Sequence, residues 1–320
     1  MTLALYQQKF TRLHVNMSGG KVSPHKICML LALLDLARSG SLKNNKVEYG
    51  PALLERYRNF FDAVRGPSDH PNPYFPFFHL AGKLRDRSES FWHLIPIPGR
   101  ESALASMKTV TSASDITRNI SHAELDPELF ALLNDEEAIE VLSQTMAQHW
   151  FGRGLQELTQ VVALCTDISR YEHRIRTGLI TPDLNPQPES IRSPAFRRVV
   201  TQTYDYRCAA TGLRFLLPSG VAMVEAAHIH PFSESQDDDP CNGLALTPNM
   251  HWAMDRFLIS PGPDLKWHVS DLLDDRIKDN EILLNLRGKP LFLPNDLRMV
   301  PKRDALEWRL DRLKNLPREY

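Results

Sequence analysis

The apolar spacing changes character along the chain. From Pro24 to Ser39, PHKICMLLALLDLARS, apolar residues run nearly all round a helical wheel, which predicts a buried helix. Pro24 suits its first turn, Ser23 is placed to cap it, and Gly40 follows its end. Over residues 50–64, Leu53, Leu54, Tyr57 and Phe61 share one helical face. The loop GPSDHPNP then leads into the aromatic block Tyr74 to Leu80, and Glu89 to Ile97 reads as a short strand. Asp135 to Phe151 and Leu155 to Arg176 predict two helices, acidic at the start and basic at the end, as the helix dipole favours. Residues 178–194 hold four prolines and no apolar period, which marks a boundary. Beyond it, residues 195–206 read as a helix, 208–216 and 221–227 as a pair of strands, and 248–257 as a short helix. The tail after Pro261 mixes short strands with a last helix, 304–313. The predicted class is α+β, mostly helical in the N-terminal half and mixed in the C-terminal half.

Composition narrows this. A chain of 320 residues, 42% apolar and 24% charged, has material for about two cores and is not wholesale disordered. No apolar run approaches the ~18 residues of a membrane span; the best, Ile27 to Ala37, is short and carries Asp35. MTLALYQQKF lacks a basic n-region and a cleavage site, and Cys28, Cys165, Cys208 and Cys241 form no CxxC pair. A reduced, cytoplasmic setting without a membrane partner is expected. The net charge of −1 hides an asymmetry: residues 1–100 hold 14 Lys+Arg against 7 Asp+Glu, residues 101–190 hold 6 against 14, and residues 191–320 hold 18 against 18. The first third therefore suits a polyanionic partner.

The chemistry concentrates in VEAAHIHPFSESQDDDPCNGLALTPNMHWAMDRF, residues 224–257. His228 ends an apolar strand, Asn242 follows on a loop before Gly243, and His251 lies inside the short helix with Asp255 one turn beyond. Phosphodiester hydrolysis suits that set, because a neutral imidazole can take a proton from water near neutral pH and a metal can stabilise charge on the scissile phosphate. The Asn amide is placed to hold the ring or the loop. His230 reads as a satisfied core histidine, and Asp237-Asp238-Asp239 as a solvated turn.

Three blocks, Ala226-Ala227-His228-Ile229, Asn242-Gly243-Leu244-Ala245-Leu246 and His251-Trp252-Ala253-Met254-Asp255, with Tyr206-Arg207-Cys208-Ala209-Ala210-Thr211-Gly212 upstream, resemble the HNH or ββα-metal nucleases over residues 195–260. The resemblance implies His228 as general base, Asn242 as orienting amide and His251 as a metal ligand. Many members carry Asp directly before the first His, where this chain has Ala227. Glu225, Asp255 or His230 is expected to complete the sphere, with Glu225 and Asp255 favoured. One hard divalent ion, Mg²⁺ or Mn²⁺, suits such donors. Only Cys208 and Cys241 lie nearby, so no structural zinc is expected. A decayed, non-catalytic DNA-binding version of this fold is the competing reading.

The N-terminal half holds no catalytic motif. Ser23-Pro24-His25-Lys26 opens the buried helix, whose N-terminal amides suit a phosphate. Pro73-Tyr74-Phe75-Pro76-Phe77-Phe78-His79-Leu80 is followed by Lys83, Arg85 and Arg87 and then by Phe91-Trp92-His93-Leu94. Phe78, Leu80 and Trp92 read as plain core, whereas Tyr74-Phe75-Pro76 is hard to bury whole. These blocks, with VLSQTMAQHWF, resemble the sulfur-binding domains fused to HNH nucleases in modification-dependent restriction enzymes, over residues 5–152. The resemblance implies recognition of double-stranded DNA bearing a phosphorothioate: Phe75 and Pro76 forming the sulfur pocket, His25 and Lys26 on the phosphate, Lys83, Arg85 and Arg87 on flanking phosphates or base edges, and Tyr74 and His79 among the DNA- or sulfur-binding residues. An HNH restriction enzyme reading a modified base is the alternative. The expected organisation is a reader over 1–152, a helical connector and Pro-rich linker over 153–194, and the nuclease over 195–320. Duplex cutting by one site suggests a homodimer, with Leu155, Leu158, Val162 and Cys165 either at its interface or packed on their own domain.

Overall fold

A computed structural model describes residues 2–18, 21–66, 69–153, 155–179 and 187–315. The α+β class holds: helices predominate, and the strands among the described residues form four two-stranded antiparallel sheets. The chain divides into two compact units, Met1–His173 with Leu217–Val221, and Arg174–Leu216 with Ala222–Tyr320.

In the first unit, α1 (Thr2–Thr11) precedes the hairpin β1 (Met17–Ser18) and β2 (Lys21–Val22). The buried helix follows as α2 (His25–Arg38), in which every residue from Ile27 through Leu36 is inside. Pro24 takes the cap position without a side-chain cap bond, because the Ser23 hydroxyl is bonded instead to His25 Nδ1 at 3.0 Å. Gly40 ends the helix at φ +69°, a left-handed backbone that favours glycine. The helix α3 (Pro51–Asp62) buries Leu53, Leu54, Tyr57 and Phe61 as its spacing predicts. The aromatic block is itself a short helix, α4 (Tyr74–His79), with Phe77 and Phe78 in the core and Phe75 at 37% exposure.

The strands β3 (Trp92–Pro96) and β4 (Ile120–Leu125) pair antiparallel, and α5 (Glu136–Trp150) docks through Trp150, whose indole N–H donates to the Phe10 carbonyl at 3.0 Å. The next helix is α6 (Leu158–Thr177). Leu155, Leu158 and Cys165 are buried in the first core, so this face packs on its own unit. A fully buried charge cluster holds it there: Arg56 Nε lies 2.8 Å from Asp35 and its Nη2 2.6 Å from Glu172. Asp35, read above only as a residue that spoils a membrane span, is one anchor of this cluster.

In the second unit, α7 (Glu189–Thr203) begins six residues before the expected Ala195 and carries Pro194 inside it. Proline removes a helical N–H bond there. Buried Ile191 and Phe196, and an ion pair of Arg192 with Asp238, offset that loss. The strands β5 (Glu225–His228) and β6 (Gly243–Leu246) pair antiparallel, His228 facing Gly243 and Glu225 facing Leu246, and α8 (Pro248–Asp255) follows. The pairing expected between 208–216 and 221–227 is reduced to a bridge of Leu216 with Ala222. Alternating apolar residues specify a strand's faces, and not its partner. Gly243 is required by packing: a Cβ there would stand 2.6 Å from Val200 and 2.9 Å from Phe196 of α7. A small sheet, β7 (Ile259–Pro261) with β8 (Trp267–Val269), and the last helix α9 (Arg303–Lys314) complete the unit.

Candidate functional site

The β5–β6–α8 unit carries the His–Asn–His set. His228 lies at the end of β5 with its ring stacked on Phe196, centroids 3.9 Å apart and planes within 2°. Its Nε2 is 3.0 Å from Asp238 Oδ1. A carboxylate only accepts, so Nε2 carries the proton and Nδ1 is left as the ring's acceptor. Asp238 is 2% exposed and takes both oxygens to Arg192 Nη1, each at 3.0 Å. The Arg192 guanidinium lies over Phe232, 3.4 Å from the ring centroid.

Asn242 is fully buried and does not touch the His228 ring. Its Oδ1 accepts from the His230 amide at 2.9 Å, and its Nδ2 donates to the carbonyls of His230 at 2.9 Å and Asp237 at 3.1 Å. It therefore fixes the loop that delivers Asp238. Lys302 bonds the Asp237 carboxylate, and Asp239 Oδ1 accepts from the Cys241 amide at 2.9 Å. The reading of Asp237-Asp238-Asp239 as a solvated turn is thus corrected for Asp238, which is turned inward, while Asp237 is half-buried and Asp239 exposed. A DDD run looks solvated in sequence because the cations that claim it, Arg192 and Lys302, lie far along the chain. His230 stacks on Trp308 at 4.1 Å.

His251 sits between two carboxylates, Nδ1 3.0 Å from Glu225 and Nε2 3.4 Å from Asp255. The three residues named as metal donors are therefore neighbours. Asp255 is also claimed by the buried Arg309, at 3.3 Å, which donates to the Met254 carbonyl at 2.8 Å as well. One imidazole and two carboxylates match the donor chemistry of a hard divalent ion. As arranged, both ring nitrogens face carboxylates, and no group of three or more His, Cys, Asp and Glu among the described residues is set to hold a metal.

Residues 208–260 match the HNH endonuclease family. This segment is an HNH endonuclease domain. No curated protein matches the chain significantly. Among solved structures, the modification-dependent TagI restriction endonuclease is similar over 40% of this chain and 40% of its own, with 25% identity and a TM-score of 0.31. The similarity thus spans less than half of that enzyme's length. The HNH domain uses its cysteines for hydrogen bonds: Cys208 accepts from the Thr247 amide at 3.4 Å, and Cys241 donates to the Arg298 carbonyl at 3.2 Å.

The first unit has its own concave site, a cavity of about 540 Å³. Five residues singled out in sequence line it, namely His25, Lys26, Phe75, Pro76 and His79. Ser23, which opens the Ser23-Pro24-His25-Lys26 motif, lines it too, as do His14, Asn16 and Asn72, which nothing in their local sequence marks. His25 opens α2, but Ser23 occupies its Nδ1 and the His70 carbonyl its Nε2, at 3.1 Å, so its ring is a wall and not a free donor. Lys26 has no hydrogen-bond or ion-pair partner among the described residues, and burial pushes its ammonium down to about 8. Burial, aided by Lys26, also lowers His79, which bonds Thr109 at 3.2 Å and lies parallel to Phe75. Tyr74 stands outside the wall, bonded to Asn72 at 3.2 Å. Lys83, Arg85 and Arg87 are exposed beyond α4 and do not line the cavity; Lys83 pairs with Glu89 at 3.1 Å.

Among the described residues, no helix is long and apolar enough to cross a membrane.

Proposed function

We propose that the protein is a modification-dependent DNA endonuclease in which the N-terminal cavity reads a phosphorothioate and the HNH domain hydrolyses the backbone. The observation that carries the reading is the cavity itself, where an unpaired ammonium stands beside an apolar wall of Phe75 and Pro76. Sulfur in place of a non-bridging oxygen is larger and less well hydrated. An apolar wall favours it and penalises an ordinary phosphate oxygen that loses water there. Lys26 meets the remaining negative charge. Lys83, Arg85 and Arg87, outside the cavity, suit flanking phosphates.

At the nuclease centre, His228 Nδ1 accepts a proton from the attacking water. The water oxygen bonds to phosphorus as the bond to the leaving oxygen breaks. Asn242 holds the loop, and the stacking on Phe196 keeps the ring in plane. Glu225, His251 and Asp255 would hold the Mg²⁺ or Mn²⁺, which when bound supplies charge stabilisation to the phosphate and leaving oxygen. One such centre per chain cuts one strand at a time, so a duplex break calls for two copies acting together or two successive events.

The deciding experiment is cleavage of phosphorothioated against plain plasmid by the full chain in Mg²⁺ or Mn²⁺. Preferential cutting of the modified plasmid is expected. Equal cutting of both would refute the reader, and no cutting of either in any divalent metal would refute the nuclease.

A further inference from the structure

The geometry points to Asp238, held by Arg192, as a positioning residue that fixes the proton on Nε2 of His228 and thereby leaves Nδ1 free as the base. This rests on the reading of His228 as the general base. The sequence reads Asp238 only as part of a solvated turn and gives Arg192 no role, and Arg192 lies outside the segment that matches the HNH family.

Three observations carry it. First, the His228 Nε2 to Asp238 Oδ1 bond, at 3.0 Å, joins an imidazole to a carboxylate that is 2% exposed. A buried carboxylate needs a partner charge, and Arg192 provides it through both oxygens. Second, the rings are set for this contact alone. Phe196 stacks on His228 and Phe232 carries the guanidinium, so neither partner can swing without losing a stacked face. Third, the segment bearing Asp238 is tied on the residue before it, where Asn242 bonds the Asp237 carbonyl and Lys302 its carboxylate. An orienting acid that holds one imidazole nitrogen protonated is a general device for presenting the other nitrogen to a substrate proton.

The chemistry of the isosteric variant is decisive. In Asp238→Asn, the guanidinium has only donors and claims the amide oxygen. The amide nitrogen then faces His228 Nε2 as a donor, and Nε2 must accept. The ring proton moves to Nδ1, the atom needed to receive the proton of water.

The test uses the full chain. Nitrogen NMR of ¹⁵N-histidine-labelled protein, with His228→Gln to assign the signal, is expected to show Nε2–H in the wild type at mildly alkaline pH and Nδ1–H in Asp238→Asn. Cleavage of phosphorothioated duplex by Asp238→Asn should fall in kcat by roughly 10²–10⁴-fold, with KM within about twofold. Arg192→Lys keeps a charge but loses the two-oxygen grip, and should cost about tenfold in kcat. Asp238→Asn with an unchanged tautomer, or with kcat within about threefold of wild type while His228→Ala is inactive, would overturn the proposal. Should His228→Ala cleave like wild type, it is the base reading that fails, and the tautomer measurement still judges the Asp238–Arg192 grip on its own.

Discussion

The cavity of the first unit and the HNH centre treat their polar groups in opposite ways. At the HNH centre the functional side chains are committed to one another: His228 to Asp238, His251 to Glu225 and Asp255, and Asn242 to three backbone groups. In the cavity, His25 is tied into the wall while Lys26 is left without a partner against apolar side chains. Under the proposed function, the difference follows from the tasks. A hydrolytic centre needs a defined tautomer and ring orientation before substrate arrives, so it spends polar groups on orientation. A recognition site keeps its cation partly desolvated, so that the ligand's charge supplies what the protein withholds.

The sharpest break between the two sites is His228→Ala. Removing the base should lower cleavage by at least about 10³-fold while gel-shift affinity for modified duplex stays within twofold, because the cavity lies in the other unit. Comparable loss of both activities would mean that the centres are not separable.

Next in size is Asn242→Ala. It strips partners from the His230 amide and from two carbonyls in a buried setting, and should cost about 3 kcal/mol of stability, read from denaturant unfolding. A loss below about 0.5 kcal/mol would show that the loop holds Asp238 without it.

Phe75→Ala and Pro76→Ala probe the apolar wall. Losing some 40–80 Å² facing sulfur is worth roughly 1–2 kcal/mol, a 5- to 30-fold drop in affinity confined to phosphorothioate DNA. Equal weakening on plain and modified duplexes, in folded variants, would assign both residues to the core instead.

The smallest effects concern Lys26. With its ammonium pushed down to about 8 by burial, the folded apo protein binds that proton less tightly than the unfolded chain does. The burial penalty is fully present below pH 8 and is relieved as pH rises from there through the ordinary lysine range. A bound phosphate restores the charge, so DNA binding takes up a proton, and affinity should fall several-fold between pH 7 and pH 9. Lys26→Arg should flatten that dependence, and Lys26→Ala should weaken binding to modified and plain DNA alike with a salt slope shallower by about one. Calorimetry in buffers of different ionisation heat measures the proton directly; no uptake near pH 8 would place Lys26 away from phosphate.

The primary sequence by itself determined the local features. The all-round apolar run of α2, the single apolar face of α3, and the order His228, Asn242, His251 were legible because periodicity and motif spacing are properties of neighbouring residues. The neighbourhood of Lys26 and Phe75 was legible as well, since both sit on motifs that mark themselves. What only the tertiary structure decided is which distant charges meet. Asp238 reads as part of a solvated turn until Arg192 closes on it, Asp255 is shared with Arg309 from α9, and Leu155, Leu158 and Cys165 belong to the core of the first unit. An ion pair across tens of residues leaves no periodic trace, because its energy depends on burial and geometry that the intervening chain creates only once it has folded.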